Sequence, residues 1–360
     1  MSSTAAAVSE GKLEVEERIY VASHWLLMWW RFRKHRLALG SCVVLAMFYL
    51  VALCAEFLAT AEPTSPDASH SYLPPQAVHW IDGWKIGPYV YAVSGYRDPV
   101  SYKKIYEVDR NEKIPVHFLG RGFEYKFLGF IPTDRHLFGV GGGRDVAKSI
   151  SLLGGDVQGR DQWSRLMFAT RTSMSIGLVG VALSLLLGIT LGGISGYYGG
   201  FIDTVIQRSI EILRSIPTIP LWMGLAATLP GDWSVIRVYF AITIIISLMG
   251  WTELARVVRG RFLSMREEDF VTAARLDGAG EMRIMFRHML PSFYSHVIAA
   301  STLAVPFMII SETSLSFLGL GLRPPAVSYG VLLQQAQNVQ TVALSPWLLA
   351  PAIPVIIAVL

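Results

Sequence analysis

Gly142-Gly-Arg-Asp-Val-Ala-Lys-Ser149 comes within one residue of a phosphate-binding loop. Such a loop, G-x-x-x-x-G-K-S/T, wraps the phosphates of a nucleotide with backbone N–H groups. Ala147 stands where the second glycine belongs, and its methyl group obstructs that wrapping. No other segment matches, so the sequence predicts no ATP binding or hydrolysis by this chain. The eight histidines are scattered, with no H-E-x-x-H and no paired Cys/His spacing, so no metal centre is expected. His117 and His136 are expected at the surface. Cys42 and Cys54 lie twelve positions apart in one apolar run, too far along one helix to pair. No G-x-S-x-G elbow for a nucleophilic serine is present.

Two segments carry chemistry of another kind. In Glu268–Pro291, Phe270, Ala274 and Gly278 fall at i, i+4 and i+8, one stripe of a helix. One aromatic and two small residues can enter a groove on a partner closely, and Gly278 is placed to end the helix. Met282, Ile284, Met285 and Leu290 would pack the segment back on the rest of the chain. An amphipathic helix lying passively on lipid fits the same pattern. In the second segment, Arg208, Glu211 and Arg214 stand in an otherwise apolar stretch that Pro217 and Pro220 should bend or break. Charged groups at membrane depth are costly and face a pathway or a partner. A helix end lying outside the membrane accounts for them equally well.

Long apolar runs must position these groups. Of 360 residues, 52% are hydrophobic and 16% charged, against about 25% charged in soluble domains. The net charge is +4 and the pI about 9.0. The basic residues flank apolar runs, as at cytoplasmic membrane faces, which argues against nucleic acid as a partner. Residues 1–36 read as a cytoplasmic tail, and residues 37–58 as a first span retained as an anchor. Arg31, Arg33, Lys34 and Arg36 hold the N-terminus inside, with Trp29 and Trp30 at the interface. Residues 59–165 carry charges, prolines and aromatics but no long apolar run. They read as an outer insertion, with strand-like pieces such as Glu124-Tyr-Lys-Phe-Leu-Gly-Phe-Ile131. Further spans are expected near 174–196, 201–229, 238–254 and 294–318, and from Pro346 to the end, where the sixth is cut short. Seven arginines between Ala255 and Pro291 place that segment inside. Arg160, Arg165 and Arg171 on the outer side run against this topology, with Asp156 and Asp161 as candidate counter-charges.

The spacing Ala273-Ala274, then Gly278, then Leu290-Pro291 resembles the EAA loop of ABC importer permeases, with Thr272 in place of the glutamate and His288 in place of a frequent isoleucine. Leu153-Gly-Gly-Asp-Val-Gln-Gly-Arg-Asp161 resembles the G-T-D-x-x-G-R-D segment of the second permease type in the dipeptide/oligopeptide/nickel family, with Gly155 for the threonine. Gly196-Tyr-Tyr-Gly-Gly200 with Asp203, and Phe317-Leu-Gly-Leu-Gly321 with Pro324 and Gly330, extend the likeness over most of the chain from about 150.

The resemblance implies an all-α membrane protein: a six-helix type I ABC importer transmembrane domain with a periplasmic insertion between helices 1 and 2. The core would occupy 166–360, with a coupling loop at about 255–291. Asp269, Phe270, Ala273, Ala274, Arg275, Gly278, Leu290 and Pro291 would couple to an ATPase. Gly155, Asp156, Gly159, Arg160 and Asp161 would form a periplasmic structural motif, and Arg208, Glu211, Arg214 and Pro217 are candidates for the pathway. The implied partners are a second homologous permease, two ATP-binding subunits that hold ATP and Mg, and a periplasmic binding protein. The implied place is the bacterial inner membrane. Di- or oligopeptides are the leading substrates, with oligosaccharides, opines or nickel as alternatives. An ion-driven secondary transporter would need inverted repeats and buried acids at the midplane, and neither stands out in the sequence. A membrane-bound enzyme acting through the outer insertion is a third class, and the want of a catalytic constellation argues against it.

Overall fold

The computed structural model describes residues 24–82, 85–100, 104–140 and 150–360. The near-phosphate loop at 142–149 and the tail at 1–23 lie outside them. The chain divides into two units, Met1–Leu50 and Val51–Leu360.

The described residues of the first unit are helical. Helix α1 (His24–Lys34) stops at His35, and α2 (Arg36–Leu53) follows at once. The His35 Nδ1 accepts the Ala38 N–H at 3.2 Å, which satisfies one of the free donors at the start of α2. The expected first span, 37–58, is therefore interrupted. Cys54 leaves helical geometry, with φ −99° and ψ 19°, and a short α3 (Ala55–Leu58) follows.

The second unit holds the insertion that precedes the helical core. Strands β1 (His79–Asp82), β2 (Lys85–Arg97) and β3 (Lys104–Pro115) form one antiparallel sheet, and β4 (His117–Phe127) and β5 (Ile131–Gly139) a second. Val90, Ala92, Ile114, Val116 and Ile150 make its small core. The strand read at 124–131 is cut by the turn at 128–130, where Leu128 and Gly129 both have positive φ. His136 is not a surface residue. It is buried, with its ring nitrogens 2.8 Å from the Glu56 carbonyl and 3.0 Å from that of Phe123, and so ties β5 to α3.

The helical core follows as α4 (Gln162–Tyr198), α5 (Gly200–Ser215), α6 (Thr218–Ala227), α7 (Val235–Met265), α8 (Asp269–Leu276) and α9 (Tyr294–Phe317), then the short α10 (Tyr329–Gln334), α11 (Val339–Leu344) and α12 (Ala352–Val359). Among the described residues, four helices are long and apolar enough to cross a bilayer: Arg36–Leu53, Gln162–Tyr198, Val235–Met265 and Glu281–Phe317. The expected third span is instead two helices. Ile216 is extended, as a residue before proline prefers, and Pro217 begins α6. The sixth is the short apolar stretch Pro346–Val359.

The 37 residues of α4 reach roughly 55 Å at about 1.5 Å each, well beyond a hydrocarbon core of about 30 Å. Part of it therefore extends beyond the hydrocarbon core, and its first turns adjoin the insertion. Asp161 caps it by accepting the Ser164 N–H at 2.8 Å. Deeper in, Gly188, Gly192 and Gly196 line one face of α4 against Leu254, Ala255 and Arg259 of α7. A side chain on Gly192 would meet the Ala255 carbonyl oxygen at 2.5 Å, and one on Gly196 that of Arg259 at 2.6 Å. Backbones this close are how membrane helices gain packing energy where lipid offers no hydrophobic drive. Gly192→Leu is expected to force the helices apart at a cost of about 1–3 kcal/mol. The fraction of solubilised protein that stays monodisperse should fall, while Gly224→Ala, with nothing within 4 Å of the new methyl group, should leave it unchanged.

Candidate functional site

The segment after α7 is built as a short projecting helix on a fixed base. Helix α8 begins with Asp269, a carboxylate favourably placed in its first turn. It ends at Gly278, whose φ of +78° is strained for any residue with a Cβ. The Gly278 N–H reaches the Arg275 carbonyl and the Ala279 N–H the Ala274 carbonyl, each at 3.0 Å. These two bonds are the Schellman pattern, and they hold α8 to eight residues.

Val271 and Ala274 face inward. They join a cluster with Tyr197, Val258, Phe262, Met285 and Leu290. Burying a side chain such as Val271 is worth about 1.5–3 kcal/mol, enough to hold a helix far too short to stand alone. Ile284, Met285 and Leu290 lie on this base, whereas Met282 is exposed. Residues 284–289 form a π-helical turn, a wide turn that recurs at functional sites. Pro291 opens the 3-10 turn after it. The Arg275 guanidinium lies over the Tyr197 ring, 5.3 Å from its centre. The Tyr198 hydroxyl donates to Glu281, so the end of α4 holds both sides of the projecting helix.

The structure divides the residues read as one stripe. Ala274 is buried in the base and serves α8 from below, as does Leu290. Phe270, Ala273 and Leu276, spaced three apart, are exposed, with Asp269, Arg275 and Gly278 also outside. Both faces carry small or apolar residues, so spacing alone does not say which one turns inward.

The residues of the expected periplasmic motif form a closed knot. Asp156 is fully buried. Its Oδ1 accepts the backbone N–H groups of Gln158 at 2.8 Å and Arg160 at 2.9 Å. Its Oδ2 accepts from Arg160 Nε at 2.8 Å, from Arg165 Nη1 and from Gln335 Nε2 at 3.2 Å. Burial alone would raise the Asp156 carboxyl, but the Arg165 and Arg160 guanidiniums outweigh it and hold the group below the usual carboxylate range. Gly155 gives its carbonyl to Trp347 Nε1 at 3.0 Å. A Cβ on Gly159 would run into the Asp67 carbonyl. Asp161 takes no arginine and caps α4 instead, while Arg171 pairs with Glu56. Arg160, Arg165 and Arg171 are thus all ion-paired, although Arg160 and Arg165 share one carboxylate.

Of the pathway candidates, Arg208 pairs with Glu211 at 2.6 Å on the exposed side of α5. Arg214 reaches across to Glu253 of α7, a partner the sequence reading missed. Asp203 anchors α5 by accepting two bonds at 2.5 Å from Arg259. A further miss is Glu312, fully buried in α9. It accepts from Ser173 at 3.0 Å and Ser316 at 2.8 Å, and Ser173 in turn accepts the Tyr329 N–H at 3.2 Å. The sequence reading found no clear buried acid; a lone glutamate in the apolar run of α9 was the available signal. Its hydroxyl partners lie on α4 and α9, so it ties these helices to each other and to α10.

The family described as "N-terminal TM domain of oligopeptide transport permease C" matches residues 23–75. That described as "Binding-protein-dependent transport system inner membrane component" matches residues 188–360, which include the projecting helix. Over these two segments the chain is similar to the oligopeptide-type permeases of binding-protein-dependent ABC importers. The chain is 38% identical over 198 residues to the oligopeptide transport system permease protein OppC of Haemophilus influenzae, covering 55% of this chain and 61% of the relative. It is 33% identical over 221 residues to the glutathione transport system permease protein GsiD of Pectobacterium atrosepticum, covering 61% and 66%. The chain therefore spans under two thirds of the length of these relatives. Among solved structures, an inward-facing MetNI methionine ABC transporter aligns at a TM-score of 0.41 and 17% identity, over 53% of this chain and 89% of that one. With its long apolar helices and its match to an inner membrane component family, the chain is a multi-pass inner membrane protein.

Proposed function

We propose that this chain forms one half of the translocation pathway of an ATP-driven importer of di- or oligopeptides. A second homologous permease completes the pathway, a periplasmic binding protein delivers the peptide, and two ATP-binding subunits supply the energy. ATP and Mg sit in those subunits. The N-terminus lies in the cytoplasm, on the side of the arginine-rich segment around α8. The observation that carries this reading is the capped α8, seated on a buried base and presenting Phe270, Ala273 and Leu276 outward. A short rigid helix with an exposed aromatic transmits motion from a partner because it cannot bend independently of its base. ATP binding closes the ATPase subunits, α8 moves with them, and the spans rock between inward- and outward-open states. Peptide as substrate is supported by the oligopeptide and glutathione permeases among the relatives.

Co-purification from membranes tests the reading. The wild-type chain is expected to bring down an ATP-binding subunit. Phe270→Glu sits outside the core and should leave insertion intact, yet it should reduce that recovery about tenfold, the effect of losing an aromatic anchor worth 1–2 kcal/mol. Equal recovery with both chains, or no ATPase with either, would sink the assignment.

A further inference from the structure

Between α4, the α5–α6 break, α7 and α9 lies a cavity of about 570 Å³. That is within the roughly 300–1,000 Å³ range of small-molecule sites, which are mostly apolar with a few placed polar groups. Leu185, Met249, Ala304 and Phe307 supply much of its wall. Its charged lining residues are one cation and one anion, Arg214 and Glu253, and they pair with each other. The pair is not sealed: the Arg214 side chain is 38% exposed and that of Glu253 72%.

Such a pair has no low-cost place against lipid. As a clamp between α5 and α7 it would duplicate Asp203–Arg259, which already joins them by two bonds. It sits instead at the break where Ile216 and Pro217 interrupt the third span, where chain ends can move. We propose that Arg214 and Glu253 are the charge-selecting residues of the pathway. Each exchanges its partner for the opposite charge on an amphoteric solute, Arg214 taking a carboxylate and Glu253 an ammonium group, while the apolar wall takes the solute's body. The exchange conserves charge pairs, so the solute's own charges enter the apolar cavity already compensated. A peptide with free termini carries that chemistry; a neutral sugar does not. The inference rests on the importer reading and adds to it the residues that read the solute.

The test is saturation binding to the complete transporter in nanodiscs, without binding protein. The probes are a radiolabelled tripeptide, its C-terminal amide and its N-acetyl form. Wild type is expected to bind the free tripeptide about tenfold tighter than either capped form, the worth of one hydrogen-bonded charge. Arg214→Gln should erase discrimination against the amide only, and Glu253→Gln discrimination against the acetyl form only. Equal weakening of all three probes by either variant would mark the pair as a structural clamp and overturn the proposal, as would absent binding or absent discrimination in wild type. Uptake by proteoliposomes supplied with ATP and binding protein separates the two levels. Uptake without discrimination in nanodiscs refutes the charge selection alone, and no uptake refutes the importer reading itself.

Discussion

Asp156→Ala is expected to destabilise the end of the helical core next to the insertion by about 3–5 kcal/mol, because it strands buried guanidinium groups. Arg165 is fully buried and Arg160 nearly so, and Asp156 is their common acceptor. Removing it also frees the N–H groups of Gln158 and Arg160 and the Gln335 amide. The knot joins the start of α4 to residues near α10 and, through Gly155 and Trp347, to the last described turns. The damage should therefore spread beyond one loop. Thermal unfolding in detergent and protease sensitivity of the insertion would show it. Replacing Asp156, Arg160 and Arg165 together by Leu, Met and Met should recover much of the loss, since an apolar set of similar volume leaves no charge unpaired. A single variant as stable as wild type would show that the knot bears no load.

The same knot sets a pH dependence. The folded-state value of Asp156 lies below the ordinary carboxylate value of 3.8. Its contribution is fully present above that unfolded value and is lost as pH falls through the lower folded one. Stability from this group should be flat between about pH 5 and 8 and decline only below about pH 4, and Asp156→Asn should flatten that acid limb.

The second large effect is expected at Gly278. A Cβ there meets nothing within 4 Å, so its first carbon has room. The obstacle is the backbone: a β-branched residue at φ +78° is a genuine outlier, and left-handed geometry costs an L-residue about 1–2 kcal/mol. An eight-residue helix held by one cap and one buried face has little in reserve. Gly278→Val should unwind the last turn of α8, displace Ala273 and Leu276, and reduce peptide-stimulated ATP hydrolysis about tenfold while membrane insertion stays normal. Gly278→Asn, which tolerates this geometry, should restore most of it. If valine and asparagine behave alike, the cap is not what positions α8.

How much of this was legible follows from the kind of signal each residue carries. Gly278 announced the end of α8 because glycine has a distinct conformational role there. The long apolar runs announced α2, α4, α7 and α9 because composition alone decides what lipid accepts. Of the two prolines expected to bend or break the third span, Pro217 marks the break and Pro220 lies within the next helix. The inward turn of Ala274 was not legible, since Phe270, Ala273 and Ala274 are all acceptable on either face. The interruption at Cys54 has no glycine or proline to mark it; next to it, Glu56 pairs with Arg171 and receives His136, from 115 and 80 residues away. His136, Glu253 and Glu312 acquire their roles from partners distant in sequence, which periodicity does not register. Asp161 three residues before Ser164 was a readable cap, and it would have started α4 a dozen residues earlier than the apolar run suggested.

The most direct test of the central claim is a photo-crosslinking residue in place of Ala273, on the exposed face of α8, in the complete transporter in native membranes. The account predicts a crosslink to an ATP-binding subunit, with a yield that changes between the nucleotide-free and ATP-bound states. Crosslinks to lipid or to the second permease alone, unchanged by ATP, would contradict it.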